Sequence, residues 1–409
     1  MAACRARLRR ALFSAARAKL APVVSSLTPF ERLALPAIAL LTALAGVADY
    51  SGWAPLLAFL LATLALAGLA WIVSFATEQL GERFGAGVTG LLQSTLGNLP
   101  ELFVVIFALQ KGELIVAQTA IVGSVLANAL LVLGLVIVVG ARRSHDGVMR
   151  FSKRLPRDTA TLLQVTVFII VLLGLSLSSH DPASHHVKAI SMVGAVCLLL
   201  VYVTWVVPYL RSDSAPGDGD GVVAERGAAH TPGGADGGSA AAEAPGSGTQ
   251  ASEAHGPRLP LALVLSLLLA GGAASAFVSD WFVNALKPSI EQLHISQAFA
   301  GLVIVAIAGN AVENAAGIVL AWKGRSDLAI SVVKNSVAQI AAFLFPLLVL
   351  ISFALSTTLT FTLAPVYIGA LVLTVLALAQ ITGDGEAAEF EGWALVALYV
   401  ILGTLTLYE

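Results

Sequence analysis

The sequence predicts an all-α integral membrane protein of about 11 transmembrane helices. They are expected to form two inverted five-helix repeats behind an extra N-terminal helix. Three observations carry this. Of 409 residues, 57% are hydrophobic and only 12% charged, with a mean hydropathy of +0.87; a soluble chain carries about 25% charged residues. Apolar runs of about 20 residues, the length that crosses a hydrocarbon core, recur along the whole chain. Finally, Gly97-Asn98-Leu99-Pro100-Glu101 is nearly respelled as Gly309-Asn310-Ala311-Val312-Glu313.

Residues 1–32 are basic (Arg5, Arg7, Arg9, Arg10, Arg17, Lys19, Arg32). No apolar signal core or cleavage site follows immediately, so this segment reads as a cytoplasmic tail and not a targeting sequence. Hydrophobic runs and breakers place spans near 33–49, 53–74, 86–109, 114–140, 159–178, 187–210, 259–284, 296–322, 328–354, 363–382 and 391–408. Residues 211–258 are rich in Gly, Ala, Ser and Pro with scattered acids, a composition that buries no core and reads as a disordered cytoplasmic linker. It separates an N-terminal membrane half, 33–210, from a C-terminal half, 259–409.

Loop charge orients the spans. The loop after the fourth span carries Arg142, Arg143, Arg150, Lys153, Arg154 and Arg157, and the one after the eighth carries Lys323 and Arg325. Connections 50–52, 179–186 and 355–362 carry no Lys or Arg. The N-terminus is therefore expected in the cytoplasm and the C-terminus outside. The acidic loop 383–391 falls inside on this count, but acidic residues have little weight in the rule. The halves align without a gap at an offset of 212 residues: Lys111-Gly112 on Lys323-Gly324, and Ser124 on Ser336. Since the third span runs outward and the eighth inward, the repeat is inverted, the plan of many secondary transporters.

A carboxylate at mid-membrane costs about 2.5–3.5 kcal/mol on insertion scales, and this chain accepts that cost twice. Asn98 and Glu101 share one helix face, as do Asn310 and Glu313. Pro100 and the motif glycines are expected to kink or loosen their helices. Ser94 and Asn314 extend the two stripes, and the following helices add Ser124 with Asn128, and Ser336 with Gln339. The pooled donors are carboxylate, amide and hydroxyl oxygens, a hard-cation set of the kind calcium takes. With the ion gone, two like charges in a poor solvent take up protons. Metal and proton then compete for the same oxygens at Glu101 and Glu313, which is the chemistry of an antiporter.

Ala76-Thr77-Glu78-Gln79-Leu80 and Gly90-Leu91-Leu92-Gln93-Ser94-Thr95-Leu96-Gly97-Asn98-Leu99-Pro100-Glu101-Leu102 resemble the first signature of the calcium/proton (cation/proton) exchanger family. Gly123-Ser124-Val125-Leu126-Ala127-Asn128 resembles the helix after it. Ala308-Gly309-Asn310-Ala311-Val312-Glu313 and Ser336-Val337-Ala338-Gln339-Ile340 resemble the second signature. The resemblance implies that Glu101 and Glu313 carry metal and protons and that Asn98, Asn310, Ser124, Ser336 and Gln339 line the site. It also implies that Glu78 and Glu82 lie near the cytoplasmic mouth. Many members carry His after the second Glu, where this chain has Asn314, and the linker lacks the compact acidic helix of many members.

The expected activity is exchange of Ca²⁺ for H⁺ across a bacterial inner membrane, with no resident cofactor. The expected partners are an inorganic cation as substrate and membrane lipid. A net charge of −2 and the lack of a basic region interleaved with aromatics give no sign of nucleic-acid binding. Alternatives are a sodium-driven cation/calcium exchanger or a Na⁺/H⁺ antiporter. An intramembrane protease lacks its Asp pair, Ser/His pair or His-Glu-x-x-His helix in the spans, and two cysteines, Cys4 and Cys197, are too few for a thiolate zinc site.

Overall fold

The computed structural model describes residues 27–84, 96–152, 154–212 and 259–409. The expected tail up to residue 26, the linker from 213 to 258 and Ser94 lie outside the described residues. Helix α1 (Pro29–Tyr50) begins earlier than the expected 33 because Thr28 and Glu31 cap it reciprocally: the Glu31 N–H donates to the Thr28 hydroxyl at 3.3 Å and the Thr28 N–H to the Glu31 carboxylate at 2.8 Å. Then follow α2 (Pro55–Phe84), α3 (Leu99–Gln110) and α4 (Leu114–Arg143). Strand β1 (Val148–Arg150), α5 (Arg154–Ser179) and α6 (Val187–Ser212) complete the first half. The second half holds α7 (Leu261–Leu293), α8 (Gln297–Gly309), α9 (Ala311–Trp322), α10 (Ser326–Ser352), α11 (Pro365–Thr382), β2 (Glu386–Ala388) and α12 (Glu389–Leu407).

Among the described residues nine helices are long and apolar enough to cross a membrane, and the bent pair α8–α9 makes ten. The expected third span is described only in its second half, α3, so the eleventh crossing depends on residues 85–95, outside the described set. Helices α2 and α7 run past their expected ends at 74 and 284. Intrahelical bonds satisfy the backbone whatever the side chains, so polar final turns do not end a helix. Helix α7 stops at His294, whose φ of 54° lets the Ile295 N–H turn back to the Ile290 carbonyl at 3.3 Å.

The two halves are inverted, as the loop charges predict. The turn after α3 lies at the far end of α10: the Ser356 hydroxyl donates to the carbonyls of Leu109 and Gln110 at 3.2 and 3.0 Å. The turn after α9 lies at the opposite end of the bundle, where the Ser152 N–H donates to Asp327 at 2.7 Å. Helix α4 spans the distance between these two faces, called here the Lys111 face and the Arg142 face. Helices α4 and α10, corresponding helices of the repeat, are the two most enclosed. The first helices of the repeats, α2 and α7, make the most extensive helix contact among the described residues.

A two-stranded antiparallel sheet, absent from the all-helical expectation, pairs Val148 with Ala388 and Arg150 with Glu386. It brings the basic loop after α4 against the acidic loop before α12. Arg142 meets Glu389 at 2.7 Å, and Arg150 meets Asp146 at 2.7 Å and Glu386 at 3.5 Å. The Arg150 guanidinium, helped by the Val148 N–H, holds the Asp146 carboxyl below the usual carboxylate range. The acidic loop thus shares a face with its basic counterpart, which accounts for its position against the charge count.

Candidate functional site

In both signatures the backbone leaves helical geometry at the asparagine, and a helix starts at the next residue. Asn98 has φ −94° and ψ 15°, and Asn310 has φ −104° and ψ 12°. The chain bends by 61° between α8 and α9. Pro100 does not kink a continuous helix as expected; it sits in the first turn of α3, where its missing N–H costs nothing. The break recurs at Asn310 without a proline, so proline is not its cause. Each break starts a new helix in mid-bundle. Glu101 and Glu313 then fall in the first turns of α3 and α9, where free N–H groups and the positive dipole end favour a carboxylate.

The two motifs meet. A Cβ on Gly309 would stand 3.8 Å from the Glu101 Cβ, and Glu313 lies within electrostatic reach of Glu101. The Ser124 hydroxyl lies beside the Glu101 carboxylate and the Ser336 hydroxyl beside that of Glu313. Around them runs a network from both repeats. The Asn310 amide donates to Ser124 Oγ at 3.0 Å and to the Ala306 carbonyl at 3.0 Å. The Asn128 amide donates to Ser336 Oγ at 2.9 Å and reaches Asn310 Oδ1 at 3.4 Å. Asn128 opens a π-helical turn, Ala127–Val132, and Gln339 precedes another, Ile340–Leu344; such turns often mark functional positions in helices.

The expected residues that are described gather around the two asparagine turns, in different positions, while Ser94 lies outside the described residues. Asn310, Asn128, Ser124 and Ser336 form the network. Asn98 is buried with no partner for its Nδ2 among the described residues. Gln339 lines a cavity of about 110 Å³ with Glu313 and Ser336. Asn314 is half-buried beside Glu313 and stays outside the network, its Oδ1 unpartnered among the described residues. Glu78, expected near the mouth, is exposed; nothing is described of the Glu82 side chain.

The donor set suits a hard cation. Both Glu101 oxygens and Glu313 Oε2 are buried without a hydrogen-bond partner among the described residues, and Glu101 is only 1% exposed. Two such carboxylates with neighbouring amide and hydroxyl oxygens match the oxygen-rich shell calcium takes. No group of three or more His, Cys, Asp and Glu gathers among the described residues, so nothing there resembles a nitrogen and sulfur site.

Three polar residues of α10 escaped the sequence reading. Ser331 and Asn335 line the same cavity. Lys334 is fully buried, its Nζ donating to Thr382 Oγ1 at 3.1 Å, while Thr159 donates to its backbone carbonyl at 3.3 Å. The available signal was a lysine inside an apolar stretch, Ile330-Ser331-Val332-Val333-Lys334, which deserves a functional hypothesis in any membrane span.

Comparison with known proteins gives a consistent result. The family described as "Sodium/calcium exchanger protein" matches residues 54–209 and 263–408. The Ca(2+)/H(+) antiporter of Synechocystis sp. is 30% identical over 87% of this chain and 92% of its own length. The vacuolar calcium ion transporter of Schizosaccharomyces pombe is 30% identical over 87% of this chain and 80% of its own. The solved structure of native YfkE superposes with a TM-score of 0.71 at 25% identity, covering 92% of this chain and 100% of that one.

Proposed function

The chain belongs to the sodium/calcium exchanger family of membrane proteins, and from that premise we propose that it is a secondary antiporter exchanging Ca²⁺ for H⁺ by alternating access. The carrying observation is the meeting of two Asn/Glu motifs, one from each inverted repeat, with both Glu101 oxygens and Glu313 Oε2 buried and unpartnered among the described residues. Relatives described as Ca²⁺/H⁺ antiporters support calcium as the cation and the proton as counter-ion.

Glu101 and Glu313 bind the metal together, with Asn98, Asn310, Ser124, Ser336, Gln339, Asn128 and Asn314 as the surrounding donors. Two carboxylates balance a divalent charge; when the ion leaves, each takes a proton, since an unpaired pair is costly in the membrane interior. No resident cofactor takes part, and the role is transport and not catalysis of a reaction. The cavity beside Glu313 extends along α10 toward its N-terminal end, which supports a state open on the Arg142 face. The opposite end is tied: Lys111 holds Asp280 and Asn284 at 2.6 Å each, and Gln297 holds Glu113 at 3.1 Å. Loop charge assigns the Arg142 face to the cytoplasm, so export from a bacterial cytoplasm fits, with the C-terminus outside. Residues 213–258 serve as a tether between the halves.

A sodium-driven mode is the neighbouring reading, but α4 and α10 add only hydroxyls and amides beside the acid pair, at Ser124, Asn128, Ser336 and Gln339. The test uses everted membrane vesicles with an acid interior and no sodium. Glu101→Gln and Glu313→Gln are each expected to abolish Ca²⁺ uptake with normal membrane insertion. Wild-type uptake by either variant overturns the central-site assignment.

A further inference from the structure

We propose that Ser331 and Asn335, with the outer side of the Glu313 carboxylate, form a waiting site for a partly hydrated divalent cation on the Arg142 face, and that the Lys111 face has no equivalent. The inference rests on the cation exchange proposed above.

The geometry begins on α10. Ser331, Asn335 and Gln339 follow one another at four-residue spacing, so they form one stripe along the helix, stepping about 6 Å per residue toward the central pair. All three line the cavity that also holds Glu313 and Ser336. Its volume of about 110 Å³ is well above the roughly 10–15 Å³ that one water needs on the same measure, so it has room for several waters. A cation could therefore keep part of its shell there. Asn335 Oδ1 is buried with no hydrogen-bond partner among the described residues, and so is Glu313 Oε2. A buried acceptor without a donor is destabilising. A cation with its remaining waters satisfies both oxygens at once.

The inverted repeat supplies an internal control. At the offset of 212 residues, Ser331 corresponds to Thr119, Asn335 to Gly123 and Gln339 to Ala127. In the first repeat these positions are closed by helix packing. A Cβ on Gly123 would stand 2.5 Å from the Leu302 backbone, and one on Gly301 would stand 2.0 Å from the Thr119 hydroxyl. Thr119 meanwhile donates to the carbonyl of Ile115 at 2.7 Å within its own helix. Gly123 and Ala127 have no side-chain oxygen to offer, whichever way that pathway opens. The sequence thus builds the polar stripe on one side of the central pair only.

The test measures half-saturating Ca²⁺ separately at each face. In everted vesicles, where the Arg142 face is outward, Asn335→Gly is expected to raise half-saturating Ca²⁺ about fivefold or more and to keep the maximal rate within about twofold. Asn335→Asp is expected to lower half-saturation, which guards against a folding defect being read as a binding defect. In right-side-out vesicles running the exchange in reverse, neither variant should shift it. Unchanged half-saturation in both variants at the Arg142 face, or equal shifts at both faces, overturns the waiting site. The proposed exchange itself stands as long as the wild type takes up Ca²⁺ against protons. A wild type without such uptake overturns both.

Discussion

At the scale of single residues, Asn128 joins the two halves through one amide group. It donates to Ser336 of the second repeat, and its neighbour Asn310 donates to Ser124 of the first. Protein groups alone therefore brace the site across the repeat interface. Interhelical hydrogen bonds of this kind are worth about 0.6–2 kcal/mol in membranes. Asn128→Leu is expected to lower the melting temperature in detergent and to shrink the upward shift that Ca²⁺ gives the wild type. An unchanged shift would assign Asn128 to packing alone. Lys334 and Thr382 allow a second check. Thr382→Val removes the acceptor of a buried amine and should cost about 1–3 kcal/mol, whereas Lys334→Met with Thr382→Val removes both partners and should be milder. Thermal unfolding of the three proteins measures this, and a double variant worse than Thr382→Val would contradict the pairing. Glu101, Glu313, Asn98, Asn310, Ser124 and Ser336 were legible because their spelling repeats, and Asn128, Asn314 and Gln339 because they stand at helical spacing from those residues. Ser331, Lys334 and Asn335 have no polar counterpart at the repeat offset except the Thr119 hydroxyl, so which of these neighbouring polar residues face the cavity was settled only by the orientation of the helix.

At the scale of elements, the break in each signature helix governs the chemistry. It starts a new helix right after each asparagine and sets a carboxylate in that helix's first turn; for the second signature the described chain shows both halves, bent by 61°. The sequence signalled irregularity at Gly97 and Pro100 but not its position: Pro100 is the more conspicuous residue, yet the chain turns at Asn98 and at the proline-free Asn310. The β1–β2 sheet was not legible at all, since three-residue strands carry no periodicity. The crossing of α4 and α8 depends on Gly123. Its missing side chain lets the Leu302 backbone approach so closely that a Cβ would stand 2.5 Å away. Gly123→Ala forces the helices apart and is expected to cost about 1–3 kcal/mol, seen as a lower melting temperature. Gly369→Ala on α11 would meet nothing within 4 Å and should leave that temperature unchanged or raise it. Equal effects would show that the crossing is not tightly packed.

At the scale of the whole molecule, the two halves hold each other through α2 against α7, α4 against α8, and the sheet on the Arg142 face. None of these contacts needs residues 213–258. Removing most of 213–257 is expected to leave basal exchange close to wild type in correctly inserted protein; loss of exchange would give that segment a part in the cycle. Inversion was legible because loop charge gives direction and the offset gives correspondence, and together they fix opposite orientations for α3 and α9. Which face the cavity opens to was not legible, since it depends on packing at Gly123 and Gly301 that a hydropathy pattern does not encode.

The central claim is that one pair of carboxylates trades calcium for protons. The most direct measurement places purified protein in sodium-free proteoliposomes with an acid interior and follows internal pH as Ca²⁺ is added outside. The account predicts that Ca²⁺ makes the interior more alkaline in wild type and not in Glu101→Gln. An interior pH in wild type that stays fixed when Ca²⁺ is added, or one that rises equally in Glu101→Gln, would contradict it.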